Sequence, residues 1–106
     1  AMELLMQVTS VTKDICIKCD GYTFRFEYNK DLVIVHLRAI DKFTKEIFLS
    51  MREQLRQWSD FIKDMGHEYL WAAVPEDNIK IQRLIHGLGF KFINKNEGLN
   101  IYRYGV

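Results

Sequence analysis

Residues 69–93 read YLWAAVPEDNIKIQRLIHGLGFKFI and predict a strand, a short helix and a second strand. The rest of the fold is organised around this unit. Residues 69–74 are apolar and aromatic, as expected of a buried strand, and Pro75 ends that strand. Asp77 or Asn78 can cap the helix that follows. A strand-helix-strand unit of this size is normally a right-handed crossover between strands of one sheet.

The short helix has one apolar face and a glycine stop. Gly87 and Gly89 can adopt the left-handed conformation that ends a helix, and a new strand begins at Phe90. The apolar residues are spaced by three or four positions and are Ile81, Leu84, Ile85 and Leu88. This face is therefore predicted to pack on the sheet.

The first half of the chain predicts an antiparallel meander. Residues 14–19 and 22–28 alternate in polarity, and Asp20-Gly21 between them is a two-residue turn signal. Residues 29–31 form a second turn. Residues 32–37 are almost continuously apolar, which indicates a central strand buried on both faces.

Four aromatic residues share one face of the second strand. We predict that they belong to the core; the alternative is a base-stacking platform for nucleic acid, but Arg25 is the only basic residue among them. The aromatic residues are Tyr22, Phe24, Phe26 and Tyr28.

Residues 41–65 predict a long helix that ends at Gly66. Its apolar stripe indicates packing on the sheet, with this helix on one face and the short helix on the other. Residues 94–98 predict a turn, and residues 99–104 a closing antiparallel strand. The stripe consists of Phe43, Ile47, Met51, Leu55, Trp58, Ile62 and Met65.

The composition indicates one compact domain, since 48% of the 106 residues are hydrophobic. A net charge of +1 provides no global attraction to nucleic acid or membrane. The sequence contains no membrane-length apolar run or signal peptide, so we expect a cytoplasmic protein. Cys16 and Cys19 supply too few ligands for structural zinc and should point to opposite faces of a strand, so no metal site is predicted.

One motif begins at Val74-Pro75, continues through Asn78 and ends in Leu88-Gly89-Phe90. This motif resembles the C-terminal half of the GNAT N-acetyltransferase superfamily. The resemblance implies an α+β GNAT-like (acyl-CoA N-acyltransferase) fold, truncated at its N-terminal side. It implies a mixed β-sheet of about six strands, with one long and one short helix. The strands at residues 32–37 and 69–74 would be parallel neighbours that splay apart around a cofactor.

The resemblance also implies acetyl-CoA as cofactor, with Arg38, Lys42 and Asn78 as cofactor-binding residues. Family members hold the pyrophosphate in a loop that begins with Gln or Arg and contains two small residues, usually glycines. Arg38 takes the first position here, whereas Asp41 and Phe43 fall on the glycine positions. Lys42, Lys45 and the helix N-terminus still offer positive charge to an anion.

Two positions bear on catalysis. Many family members have a tyrosine in the short helix that protonates the departing thiolate; here that position is Ile85, which cannot donate a proton. His86 follows it but lies about 100° around the helix. His36 on the central strand is the candidate catalytic base. The alternative is a histidine packed in the sheet against a backbone partner.

Three functions remain open on the sequence. The first is acetyl-CoA-dependent acyl transfer, and the second is a non-catalytic GNAT-like binding or assembly protein, similar to minimal GNAT-like proteins that bacteriophages encode. If this protein is phage-encoded, we expect it in the host cytoplasm. The third is a nucleic-acid-binding module. The short segment before the meander would leave sheet edge or apolar surface uncovered, so a homodimer or another protein partner is expected.

Overall fold

The computed structural model describes residues 13–38 and 43–106. One mixed sheet has the strand order β1-β2-β3-β4-β6-β5, with one long helix and one short helix, so the predicted α+β architecture is confirmed. In chain order the elements are β1 (Lys13–Cys19), β2 (Tyr22–Tyr28), β3 (Val33–Arg38), α1 (Lys45–Asp64), β4 (Tyr69–Pro75), α2 (Ile79–Gly87), β5 (Lys91–Asn96) and β6 (Leu99–Gly105).

The turns of the meander form where the sequence predicts them. Gly21 has a φ of 87°, and a Cβ built on it would lie 2.7 Å from Cδ1 of Ile47. Both the backbone conformation and the close helix therefore favour glycine. In the next turn, the Asn29 Oδ1 atom accepts hydrogen bonds from the backbone N–H groups of Asp31 and Leu32, at 2.8 and 3.0 Å.

Helix α1 is shorter than the sequence predicts. Thr44 is its N-cap, and the Thr44 hydroxyl accepts a hydrogen bond from the Ile47 N–H at 3.2 Å, so the helix begins at Lys45. Phe43 precedes the helix and is 55% exposed, and Met65 at its C-cap is 44% exposed. The helix predicted from the apolar stripe therefore extended too far at both ends. Asp41 and Lys42, at the predicted start, lie outside the described residues.

Both helices pack on the same face of the sheet, so the prediction of opposite faces is wrong. Buried residues of α1, such as Leu55, and of α2, such as Ile85, join one core cluster on the sheet face that carries Ala72. The physical reason is topological. The crossovers from β3 to β4 and from β4 to β5 step in the same direction across the sheet, and right-handed crossovers of one direction place their helices on one side.

The aromatic residues of β2 lie in this core, as predicted. The Tyr22 side chain is 1% exposed, and its hydroxyl hydrogen-bonds the Ser50 hydroxyl of α1 at 2.7 Å. The Phe26 ring stacks at a tilt on the Trp58 ring, with centroids 5.4 Å apart. These rings are covered by α1, so they are not available as a base-stacking platform.

Strand β5 is longer than predicted and turns tightly into β6. The predicted turn at residues 94–98 shrinks to Glu97-Gly98, because β5 extends to Asn96. The φ values of Glu97 and Gly98 are 52° and 78°, the pattern of a two-residue hairpin turn.

No helix within residues 13–38 and 43–106 is long and apolar enough to cross a membrane.

Candidate functional site

Strand β4 has two very different neighbours. It pairs in parallel with β3 through a single registered pair, Ile34 and Trp71, before the two strands diverge. Leu32 and Ile34 pack against the Trp71 ring at this point of contact. The sequence-based expectation of parallel strands that splay apart is therefore confirmed.

The divergence leaves a cleft of about 250 Å³, which we call the wedge. Its walls are residues 35–38 of β3 and residues 72–75 of β4, and its floor includes Asn78, Ile81 and Ile85. Across the wedge the two strands have no registered pairing within the described part of the chain. Main-chain N–H and C=O groups in such a gap are suited to pair with the amides of an extended ligand.

Among the described residues, the floor of the wedge carries no acidic side chain that could donate a proton. Ile85 is 5% exposed and lines the wedge, so the position at which family resemblance implies a tyrosine holds a buried aliphatic side chain.

His36 lines the wedge, and its side chain lies on the sheet face opposite the helices. The Nε2 atom lies 3.1 Å from Oε1 of Glu27, so the ring donates a hydrogen bond to that carboxylate. His36 thus has a side-chain carboxylate as its hydrogen-bond partner, where the alternative of a sheet-packed histidine named a backbone partner. Burial lowers the pKa of His36 below 6.5, partly opposed by the Glu27 hydrogen bond, while Arg25 and Arg38 lower the pKa further. The imidazole is therefore mainly neutral at pH 7, with its Nδ1 lone pair available as a base.

Arg38 and Asn78 also line the wedge. Arg38 is the exposed last residue of β3. Asn78 caps α2, since its Oδ1 accepts a hydrogen bond from the Ile81 N–H at 3.3 Å. Of the four residues singled out by sequence, the structure brings His36, Arg38 and Asn78 to the wedge, and Lys42 lies outside the described residues.

A second, larger cavity of about 800 Å³ lies between the start of α1 and helix α2. Ile81 lines both this cavity and the wedge, so the two spaces meet at that residue. We call the larger space the cationic cavity because three of its lining side chains are basic. The lining residues are Phe43, Lys45, Phe48, Lys80, Ile81, Arg83 and Leu84.

Sequence reasoning identified Lys45 but missed Lys80 and Arg83. The signal was present, because Lys80 and Arg83 are three positions apart and share one side of α2. Their importance depends on the packing of α2 beside the N-terminus of α1, which sequence periodicity does not specify. Three cations and a helix N-terminus around one cavity favour a multiply charged anion.

Gln82 links α2 to the elements on either side of it. Its Nε2 donates to the backbone oxygens of Pro75 and Glu76, at 3.1 and 2.8 Å. Its Oε1 accepts from Asn100 Nδ2 at 3.0 Å and from the Tyr102 hydroxyl at 3.3 Å. One amide thus ties α2 both to the loop that follows β4 and to β6.

Known structures share this architecture. One solved structure is described as "Putative GnaT-family acetyltransferase from Bordetella pertussis". It matches 79% of this chain with a TM-score of 0.60 and 12% identity. The fold is GNAT-like. This chain spans 57% of the length of the Bordetella protein. A domain from Methanocaldococcus jannaschii DSM 2661 matches 99% of this chain and 75% of its own length, with a TM-score of 0.63 and 15% identity.

No protein-family model matches the chain, and neither does any curated protein sequence.

Proposed function

We propose that this protein is an acyl-CoA-dependent N-acyltransferase. The observation that carries the proposal is the single strand pair between β3 and β4, which opens the wedge to an extended, amide-bearing ligand. The shared fold of the Bordetella protein supports the same chemical class. Acetyl-CoA is the simplest donor of this kind.

The cationic cavity fits the phosphates and purine of such a donor, and the wedge fits the part that carries the acyl group. Lys45, Lys80 and Arg83 line the cationic cavity and would hold its phosphates, and Phe43 and Phe48 offer aromatic surface to its purine. Bound acyl-CoA supplies a thioester carbonyl that an amine can attack. The wedge backbone would orient the chain that joins these phosphates to the thioester.

His36 is the base in this proposal. A neutral imidazole beside the wedge can accept the proton that an attacking amine must lose. Glu27 orients the ring through its Nε2 and stabilises the imidazolium that forms. Ile85 contributes only apolar surface.

A second candidate function is ligand binding without catalysis. The observation that favours it is Ile85, which leaves the wedge floor without a proton donor. In that case the protein would hold an acyl-CoA-type ligand, or a protein partner, without transferring a group.

Calorimetric titration with CoA and acetyl-CoA tests the shared part of both functions. We expect binding by the wild-type protein, and a loss of at least about tenfold in affinity for Lys80→Glu and Arg83→Glu, because each reverses a charge at the proposed phosphate site. Lys91→Glu, an exposed lysine of β5 outside both cavities, is the matched control and should bind normally. Absence of binding by the wild-type protein would contradict the proposal.

Acyl-transfer kinetics distinguish the two functions. His36→Gln should lower kcat/KM by roughly 10²- to 10⁴-fold while CoA binding persists, because it removes the base. His86→Gln, at an exposed histidine of α2, is the control. Because burial lowers the pKa of His36 from 6.5, the base is free above that lowered pKa, so the rate should rise with pH through a midpoint below pH 6.5 and then level off. Binding without transfer to any amine would select the second candidate.

A further inference from the structure

Strand β1 has an edge that no strand among residues 13–38 and 43–106 covers. All seven of its residues pair with β2 in an antiparallel ladder, and β1 is the first strand in the sheet order. The outer edge of a strand presents N–H and C=O groups that can pair with another strand. What distinguishes this edge is the pattern of its sequence, KDICIKC.

This pattern is self-complementary in the antiparallel direction. Residues opposite each other in an antiparallel pair share a face of the sheet, so paired residue numbers must have the same parity. A register centred on Cys16 aligns the whole strand with a second copy of itself. It places Asp14 opposite Lys18 of the second copy, Ile15 opposite Ile17, and Lys13 opposite Cys19.

Neighbouring registers lose this match. Centring the pair on Ile15 aligns only residues 13–17 and places Asp14 opposite Cys16. Centring it on Ile17 aligns residues 15–19 and removes Asp14 from the pair. The Cys16 register is therefore the one that gives both the longest ladder and charge complementarity. Opposite charges across a strand pair stabilise it, whereas like charges destabilise it.

The apolar surface beside this edge fits the same arrangement. Ile15 lies on the helix side of β1 and lines a small apolar groove with Phe61 and Met65 of α1. Phe61 and Met65 are 49% and 44% exposed, which is unusual for side chains of this size beside a core. In the Cys16 register, Ile17 of the second copy lies next to Ile15 at the open end of this groove.

We infer that two copies of this chain associate through β1, antiparallel and centred on Cys16, to continue the sheet across a two-fold axis. Two Asp14–Lys18 pairs flank the axis on the face opposite the helices, and Ile15 with Ile17 flank it on the helix face. Such an interface is isologous, because each contact occurs twice. It is independent of the wedge and therefore of the proposed acyl transfer.

Charge reversal tests the register by analytical ultracentrifugation over a concentration series. The wild-type protein should be in monomer–dimer equilibrium. Lys18→Asp alone should weaken association about tenfold or more, because it creates two like-charge pairs. Asp14→Lys should do the same, and it also removes the ion pair between Asp14 and Arg25 of the same chain at 2.8 Å, so its folding is checked by urea denaturation. An equimolar mixture of the two variants should regain association, since both charge pairs between unlike chains then join opposite charges. A wild-type protein that stays monomeric, or a mixture that gains nothing, would overturn the inference.

Thiol cross-linking tests the two-fold axis directly. Residues opposite each other in an antiparallel pair have Cα atoms about 4.5–5.5 Å apart, within the range of a disulfide. Mild oxidation with diamide, which accepts the two electrons and two protons of the thiol pair, should give a covalent dimer. Cys16 is exposed and Cys19 half-buried, so Cys19→Ser should keep the dimer and Cys16→Ser should abolish it. A cross-link that persists in Cys16→Ser would exclude this register.

Discussion

The seam between β4 and β6 contains seven registered residue pairs, whereas the seam between β4 and β3 contains one. On the first side, Gln82 links α2 to Asn100 and Tyr102 of β6, which adds side-chain hydrogen bonds to the backbone ladder. On the second side, the strands separate after Trp71 and leave the wedge. One strand thus serves both as a closed part of the sheet and as the wall of a site, because backbone pairing is complete only on one of its edges.

The largest expected difference between the two seams of β4 is in the hydrogen-exchange protection of its backbone amides. Successive N–H groups of β4 point alternately to its two neighbours. Within residues 72–74, an amide that faces β6 should open only with nearly global unfolding, whereas one that faces the wedge should exchange close to the rate of an exposed amide. The two classes should differ by about 5 kcal/mol or more in opening free energy. Equal protection measured by NMR would show that the two seams are alike.

Truncation of a core side chain on β4 should disrupt the closed region. Leu70 is 0% exposed and lies opposite Tyr104 of β6. Leu70→Ala should lower the free energy of unfolding by about 2–5 kcal/mol, because it leaves a cavity that the neighbouring side chains only partly fill. Urea denaturation measures this loss. The matched control is Leu49→Ala at a 40% exposed position, for which a change within about 0.5 kcal/mol is expected.

The smallest of these effects concerns Asn78, which lines the wedge. Asn78→Ala removes the cap of α2 and should destabilise the protein by about 1 kcal/mol, because the Ile81 N–H loses its acceptor. Asp77→Ala, at the adjacent exposed residue, lacks that role and should leave the unfolding midpoint in urea nearly unchanged. If both variants lost the same stability, charge before α2 rather than capping would be the cause.

Much of the fold follows from the sequence because its signals are local. Asp20-Gly21 marks the first turn, and the alternation of residues 22–28 identifies the face that packs in the core. The start of α1 was misplaced because the apolar stripe continues to Phe43, although Thr44 supplies the better capping signal. The common face of the two helices was missed because it depends on the direction of successive crossovers, which no local pattern records.

The candidate site was only partly predictable. Resemblance to a family pointed to His36, Arg38 and Asn78, and these residues do meet at the wedge. The partner of His36 could not be read from the sequence, since Glu27 comes beside it only through the pairing of β2 with β3. Lys80 and Arg83 of α2 likewise join Lys45 around one cavity only because α2 packs beside α1.

The strand order also has a mechanical consequence. Strands β1, β2 and β3 form one half of the sheet and β4, β6 and β5 form the other, and one residue pair joins the two halves. The shared helical layer, rather than the sheet itself, therefore carries most of the load between them. Under a pulling force applied across the strands, we expect β3 and β4 to separate first, because only the Ile34–Trp71 pair joins them.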